Sequence, residues 1–206
     1  MKFFLIISLI ILILLICLSL IYFLNIHSFL ACNAPIKADI LVVEGWLTDI
    51  ALEGALKEFK TGNYQLLITT GQTLKKGSYL LKYKTFAQLA EATLLALGME
   101  RDKLIAVPCV KMKKDRTFTS AQTLSEWLLQ SNLNIKTINL YSEDVHTRRS
   151  WILFKKVFEP DIKVGVISFH SIEYDVKKWW ISSEGIRTVI PETISYIYAK
   201  IFTIFN

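Results

Sequence analysis

His146 and Arg149 stand three residues apart in Leu140–Trp151 (LYSEDVHTRRSW), and their types and spacing suit chemistry better than any other pair in this chain. On a helix, residues three apart share a face, so both side chains can address one ligand. An imidazole titrates near neutrality and serves as acid, base or hydrogen-bond donor. A guanidinium offers a planar fork that matches phosphate or carboxylate. The apolar run Ile138–Tyr141 stops just before them at Ser142, Glu143 and Asp144, and a helical pattern follows. That is a strand running into a helix, whose N-terminus adds backbone N–H donors. Glu143 and Asp144 put negative charge at the same end and oppose an anion, so neither receives a role. A second reading stays open: Asp144 as a cap, His146 on the surface, and Arg149 paired with Glu143.

Other polar residues fall at the ends of expected strands. Glu44, Gly45 and Asp49 follow the first, Thr70, Gly71 and Gln72 the second, and a basic loop Lys111–Arg116 with Thr119 the third. In a parallel α/β sheet these ends meet. Thr119, Gln122, Thr123 and Glu126 form a polar stripe at helical spacing. It is either a solvated face or, if its first turn points into the cleft, a source of ligand contacts from Thr119 and Gln122. Glu91, alone among alanines and leucines, has the same two readings. His27 and His170 have no partner in sequence and receive no role. No GxGxxG, P-loop lysine, GxSxG or HExxH occurs. Cys17, Cys32 and Cys109 have neither zinc spacing nor the even count of a disulfide framework, and no metal site is expected.

The elements that must position these groups are legible from hydropathy. Phe3 to Leu24 is apolar except for Ser8 and Ser19. As a helix it would be roughly 33 Å long, enough to cross the hydrocarbon core. It is longer than a signal-peptide core and lacks small residues after it. The expectation is an uncleaved single-span anchor over residues 1–34, followed by an α/β domain over 35–206. Lys2 precedes the span and Lys37 is the first charge after it, which tilts the domain towards the extracytoplasmic side of a plasma (inner) membrane.

Beyond a linker at Pro35–Lys37, the strands expected are Ala38–Glu44, Tyr64–Thr70, Leu104–Val107 (stopped by Pro108), Lys136–Tyr141 and Lys163–Ser168. The helices expected are Asp49 (as cap) to Phe59, Tyr79–Leu97, Thr117–Leu129, one to Phe158, and one from Pro191 onwards. Apolar residues surround that last helix, which either packs over the sheet edge or touches the bilayer, with buried packing as its default. Strands alternating with helices predict an α/β fold: a Rossmann-like, doubly wound, mostly parallel sheet of about five strands after one transmembrane helix.

The net charge is +6, to which the first 34 residues contribute only Lys2. The excess is spread out, without a basic stripe interleaved with aromatics, so nucleic acid is not an expected partner. It suits a domain near an anionic membrane surface or one that binds phosphate.

Taken together, the opening ADILVVEG, Thr70-Gly71, Glu91, Thr119 with Ala121-Gln122, and His146-x-x-Arg149 resemble the ElyC/SanA/YdcF family of bacterial envelope-associated proteins. Trp179-Trp180 and Glu192 also fit, and the resemblance spans roughly Ala38 to Tyr198. It departs at Glu44-Gly45-Trp46, where the family has a glycine-rich turn, at Gln72, where a second glycine is common, and at Gln122, where asparagine is frequent. The resemblance implies a Rossmann-like sheet tethered to the membrane and a link to peptidoglycan and lipid-carrier metabolism. The expected ligand is a phosphate-bearing or lipid-linked glycan at the membrane lipid surface. His146 would be acid/base or phosphate ligand, Arg149 the anion clamp, and Glu44, Gly45, Thr70, Gly71, Glu91, Thr119 and Gln122 ligand contacts. One soluble family member is described as binding S-adenosylmethionine, so the alternative is a non-catalytic nucleotide or S-adenosylmethionine module. The resemblance names no cofactor and leaves turnover open.

Overall fold

The computed structural model describes residues 2–74, 82–109 and 115–205. Its elements in chain order are α1 (Lys2–Leu30), β1 (Ile40–Glu44), α2 (Asp49–Thr61), β2 (Leu66–Gln72), α3 (Phe86–Ala96), β3 (Leu104–Cys109), α4 (Arg116–Gln130), β4 (Thr137–Glu143), α5 (His146–Phe158), β5 (Lys163–Phe169) and α6 (Ser183–Phe205). All five strands are parallel, in the order β3-β2-β1-β4-β5. The α/β fold expected from the alternation is therefore present.

β1 is central and every one of its residues is buried, which is why it reads as an unbroken apolar run rather than an alternating one. Its side chains still alternate between two cores. Ile40 and Val42 pack with Ala121 and Leu124 of α4 and Phe154 and Phe158 of α5. Leu41 and Val43 pack with Ala51, Leu52 and Phe59 of α2 and Ala90 and Leu94 of α3. Truncating fully buried Phe154 to alanine would cost about 3–5 kcal/mol by the usual cavity penalty.

Several boundaries differ from expectation for identifiable reasons. β3 runs through Pro108 because it is an edge strand, where a missing N–H need not interrupt a ladder. Thr48, not Asp49, caps α2, its hydroxyl accepting from the Ala51 N–H at 3.3 Å. α3 starts at Phe86 because Thr85 and Gln88 form a capping box there. α6 begins eight residues before Pro191 and carries that proline inside it. The start is set by packing: a Cβ on Gly185 would lie 2.2 Å from the Trp179 carbonyl oxygen. The beginning of the expected Tyr79 helix and most of the basic loop Lys111–Arg116 lie outside the described residues.

α1 continues to Leu30, and residues Phe3–Leu30 are long and apolar enough to cross a membrane. Its last turns are part of the folded domain. Ile26 and Leu30 are buried with Val145, Tyr174, Trp179 and Val189. Immediately beyond, Ala34 exchanges backbone hydrogen bonds with Val166 at 2.9 and 3.0 Å and so pairs with edge strand β5. Ile36 is clasped by the Asn139 side-chain amide at 2.8 and 3.0 Å. The linker is thus stitched to the sheet.

Candidate functional site

With β2 on one side of β1 and β4 on the other, the strand order reverses between β1 and β4. Ligand sites in open α/β sheets lie outside the carboxyl ends of the strands at this point. β1 ends there in Glu44, Gly45 and Trp46, and β4 in Glu143, followed by Asp144, Val145 and His146. A cleft of about 660 Å³ opens at the same place. Its polar wall includes Trp46, Gln72, Arg116, Thr117, His146 and Arg149, and its other wall is Ile194, Tyr198, Ala199 and Phe202 of α6. Phe86, Arg116 and His146, the first residues of α3, α4 and α5, all line it. Three helix N-termini, with their positive dipole ends, therefore border one space.

His146 and Arg149 share a face, as their spacing predicts, and a residue on α6 joins them. Glu192, 4% exposed, accepts from His146 Nδ1 at 2.7 Å and from Arg149 Nε at 2.5 Å. Arg149 Nη2 reaches the second carboxylate oxygen at 3.3 Å, and Nη1 donates to Thr117 Oγ1 at 3.3 Å. Nη2 also lies 3.2 Å from His146 Nδ1. A carboxylate only accepts, so the proton on Nδ1 belongs to the bond with Glu192 and this last approach joins two donors. Nε2 is then the imidazole position left for exchange with a ligand. Burial alone would raise the Glu192 carboxyl, but His146 and Arg149 together outweigh it and hold the group below its ordinary value. Trp46 meets the imidazole edge to face, with ring centroids 4.8 Å apart. The ring is held from two directions, and a third of the His146 side chain remains exposed.

Arg149 is consequently not a free anion clamp. Both ends of its fork are committed to Glu192, and among the described residues the exposed cation on the cleft wall is Arg116. The pairing of Arg149 with Glu143, one of the two readings above, does not occur: Glu143 accepts instead from the Thr48 backbone N–H. Burial raises its carboxyl above the ordinary value, with Glu173 and Asp144 adding to the shift.

Glu44 is buried and accepts from Ser142 Oγ at 2.5 Å and from Ser150 Oγ at 3.0 and 3.1 Å. It borders a small cavity of about 30 Å³ shared with Thr70, Gly71, Arg116 and Thr117, behind the main cleft. That is room for about one water-sized group. Gly45 and Gly71 are needed for packing. A Cβ on Gly45 would lie 2.6 Å from the Phe86 carbonyl oxygen, and one on Gly71 would lie 2.7 Å from Phe86 Cβ. The start of α3 occupies the space that a close-approaching ligand would use.

The remaining expected contacts do not reach the cleft. Gln122 is exposed on α4, and Thr119 donates to the Asp115 carbonyl at 3.2 Å. The residues of α4 that border the cavities are Arg116, Thr117 and Ser120, while Ala121, Leu124 and Leu128 face the core. Glu91 pairs with Arg101 at 3.2 Å and borders neither cavity.

Sequence reasoning gave His27 no role, yet it forms a second buried cluster. His27 Nε2 lies 3.1 and 3.3 Å from the two Asp144 carboxylate oxygens and 3.2 Å from the Tyr174 hydroxyl, which itself donates to Asp144. Burial and the Asp144 carboxylate push the Tyr174 phenol far above its ordinary value. Asp144 is in the left-handed region at φ 48°, a conformation that short polar side chains tolerate. It does not cap α5 with its side chain. Its carboxylate fastens α1 to the strand end that carries His146.

Arg116 and Thr117 have no individual signal in sequence beyond their places at the end of the basic loop and the start of the helix that follows it. Glu192 had one, as the lone acid in the Val189–Ile201 stretch of an otherwise apolar helix. No family model and no curated protein matches the chain.

Proposed function

We propose that this chain is a membrane-anchored envelope-biogenesis factor that binds, and acts on, a phosphate-bearing or lipid-linked cell-envelope glycan precursor. The observation that carries this reading is the cleft itself. One wall gathers a positioned imidazole, an exposed arginine and three helix N-termini, the donor set that suits a phosphate. The opposite wall is apolar and suits a hydrocarbon chain. His146 is the acid–base group through Nε2, Glu192 and Trp46 are its positioning residues, and Arg116 with the α4 N-terminus takes the anion. Arg149 holds Glu192 in its ionised form. The long apolar α1 supports a tethered protein whose cleft stays near lipid, and the ElyC/SanA/YdcF resemblance points to the same setting.

The nucleotide or S-adenosylmethionine module is the weaker reading. Gly45 and Gly71, where such a ligand would approach the backbone, are filled by α3, and both serines beside Glu44 already occupy its carboxylate. Titrating the detergent-solubilised full chain with a polyprenyl phosphate, reading the part of the tryptophan fluorescence change that is lost in Trp46→Phe, tests the proposal. Saturable binding that weakens at least about tenfold in Arg116→Ala is expected for loss of one charge-assisted phosphate contact. Binding as tight as wild type in both Arg116→Ala and His146→Ala would overturn it, as would a preference for S-adenosylmethionine.

A further inference from the structure

α6 is apolar on two sides, and only one of them is used inside the domain. Gly185, Val189, Glu192 and Ala199 face inward and are buried. On the opposite side Ile186, Ile190, Ile194, Ile197, Ile201 and Ile204 recur every three or four residues and are 41–65% exposed. Six isoleucines in one stripe exceed what water-facing helices carry, and such a surface marks a contact with a membrane or partner. Charge is sparse on the stripe: Glu192 is turned inward to Arg149, Arg187 at the N-terminal end of the stripe pairs with Glu184 at 3.0 Å, and Lys200 sits at the border, where a long stem lets its ammonium reach headgroups.

What covers this stripe follows from its neighbour. Phe29 of α1 meets Tyr196 of α6 edge to face at 5.3 Å, and Phe23 lies 4.8 Å from Trp179. Between α1 and α6 runs an apolar groove of about 640 Å³ bordered by Tyr22, Phe23, Trp179, Ile190 and Ile194. Ile190 and Ile194 thus belong both to the stripe and to a groove walled by the apolar helix Phe3–Leu30. Tyr22 on this groove is 54% exposed, and tyrosine gathers where a span meets the headgroups, because its ring is apolar and its polar tip is not.

We propose that α6 lies on the bilayer as a second lipid-contacting element, seating the domain so that the apolar wall of the cleft continues into the membrane. The inference rests on the reading of α1 as an anchor. Ile194 and Tyr198 line the cleft as well as the exposed face, so apolar surface runs from the lipid side of α6 into the space in front of His146. An amphiphile with an anionic head therefore reaches Arg116 and His146 from within the membrane, its chain lying along α6.

Single-cysteine labelling of the full chain in phosphatidylethanolamine–phosphatidylglycerol vesicles tests this. Cys17→Ser removes the exposed native thiol; that protein, which keeps only buried Cys32 and Cys109, is the blank. An environment-sensitive dye is placed by Ile194→Cys, Ile201→Cys, Gln122→Cys or Leu12→Cys in that background. Blue-shifted emission at 194 and 201, quenched by lipids carrying a shallow nitroxide, with water-like emission at 122, is the expected result. Water-like emission at 194 and 201 with quenching at 12 overturns the inference and leaves the anchor reading standing. Blue-shifted emission at 194 and 201 without quenching shows a protein covering the face, and also overturns it. If position 12 escapes quenching by lipids carrying a nitroxide deep in the acyl chain, the anchor reading fails by itself, and the α6 labels still decide this one.

Discussion

Two buried carboxylates, Asp144 and Glu192, each hold a histidine, and they do different work with the same chemistry. The Asp144 cluster is sealed: His27, Asp144 and Tyr174 are 4%, 2% and 9% exposed, and all three bind one another. In the Glu192 cluster the carboxylate is equally buried, but the histidine keeps a third of its side chain on the cleft wall. Exposure of the imidazole, not its partner, separates the sealed cluster from the one open to the cleft. The sealed cluster joins the N-terminal helix to the β4 end, and the open one faces ligand space two residues further on.

The comparison is broken most directly at Glu192. Glu192→Ala leaves the Arg149 guanidinium half-buried without its carboxylate and is expected to cost about 3–5 kcal/mol. That lowers Tm by roughly 6–20 °C for a chain of this size, measured by scanning calorimetry in detergent. Its pH dependence has a definite sign. The folded carboxyl titrates below its ordinary value of 4.5, so its stabilisation is present above that value and is lost as pH falls through the lower, folded one. Wild type should lose stability more steeply than Glu192→Gln in that acidic window, and a parallel decline would contradict the assignment.

The sealed cluster should respond differently. His27→Ala removes a charge-assisted hydrogen bond to Asp144 and is expected to cost about 1.5–3 kcal/mol. Limited proteolysis should then cut faster in the Asn33–Lys37 linker, while Arg116-dependent ligand binding stays near wild type. Binding loss as large as in His146→Ala would show that the two clusters are one unit. Ser150→Ala, which strips one of two hydroxyls from Glu44, should lower stability by about 1–2 kcal/mol in chemical denaturation without altering the linker.

The smallest effect is a gain. Burial raises the Glu143 carboxyl above its ordinary 4.5, so the folded state favours the protonated form, and stability present below the unfolded value is lost as pH rises through the folded one. Glu143→Gln should therefore stabilise the protein at pH 7, by under about 1 kcal/mol because the group is only partly buried. The difference from wild type should vanish in acid below the ordinary carboxylate range, and its persistence there would assign the effect to packing.

Much of this molecule is legible along the chain. ILVVE, LLIT and INLY read as buried strands because parallel sheets covered on both faces need no alternation, and their helices read from the three-to-four spacing of apolar residues. His146 and Arg149 were legible as neighbours for the same local reason. Of the two readings of the polar stripe on α4, Gln122 follows the solvated one; along the chain Thr119 and Gln122 look as suitable for the cleft as Thr117 and Ser120, and only docking of the helix decides between them. Pro191 looked like a helix start because, locally, proline favours that position; the packing of Gly185 and Val189 moved the start upstream.

The order of apolar and polar residues by itself determined the elements, their alternation, the long N-terminal helix and the strand-to-helix junction that carries His146. Each of these depends on neighbours within about a helical turn or a strand, where backbone geometry sets the spacing. Tertiary structure alone decided which charges meet: Glu192 with Arg149 across 43 residues, and His27 with Asp144 across 117. A buried ion needs a partner wherever packing leaves one within reach, and chain separation places no limit on which partner that is.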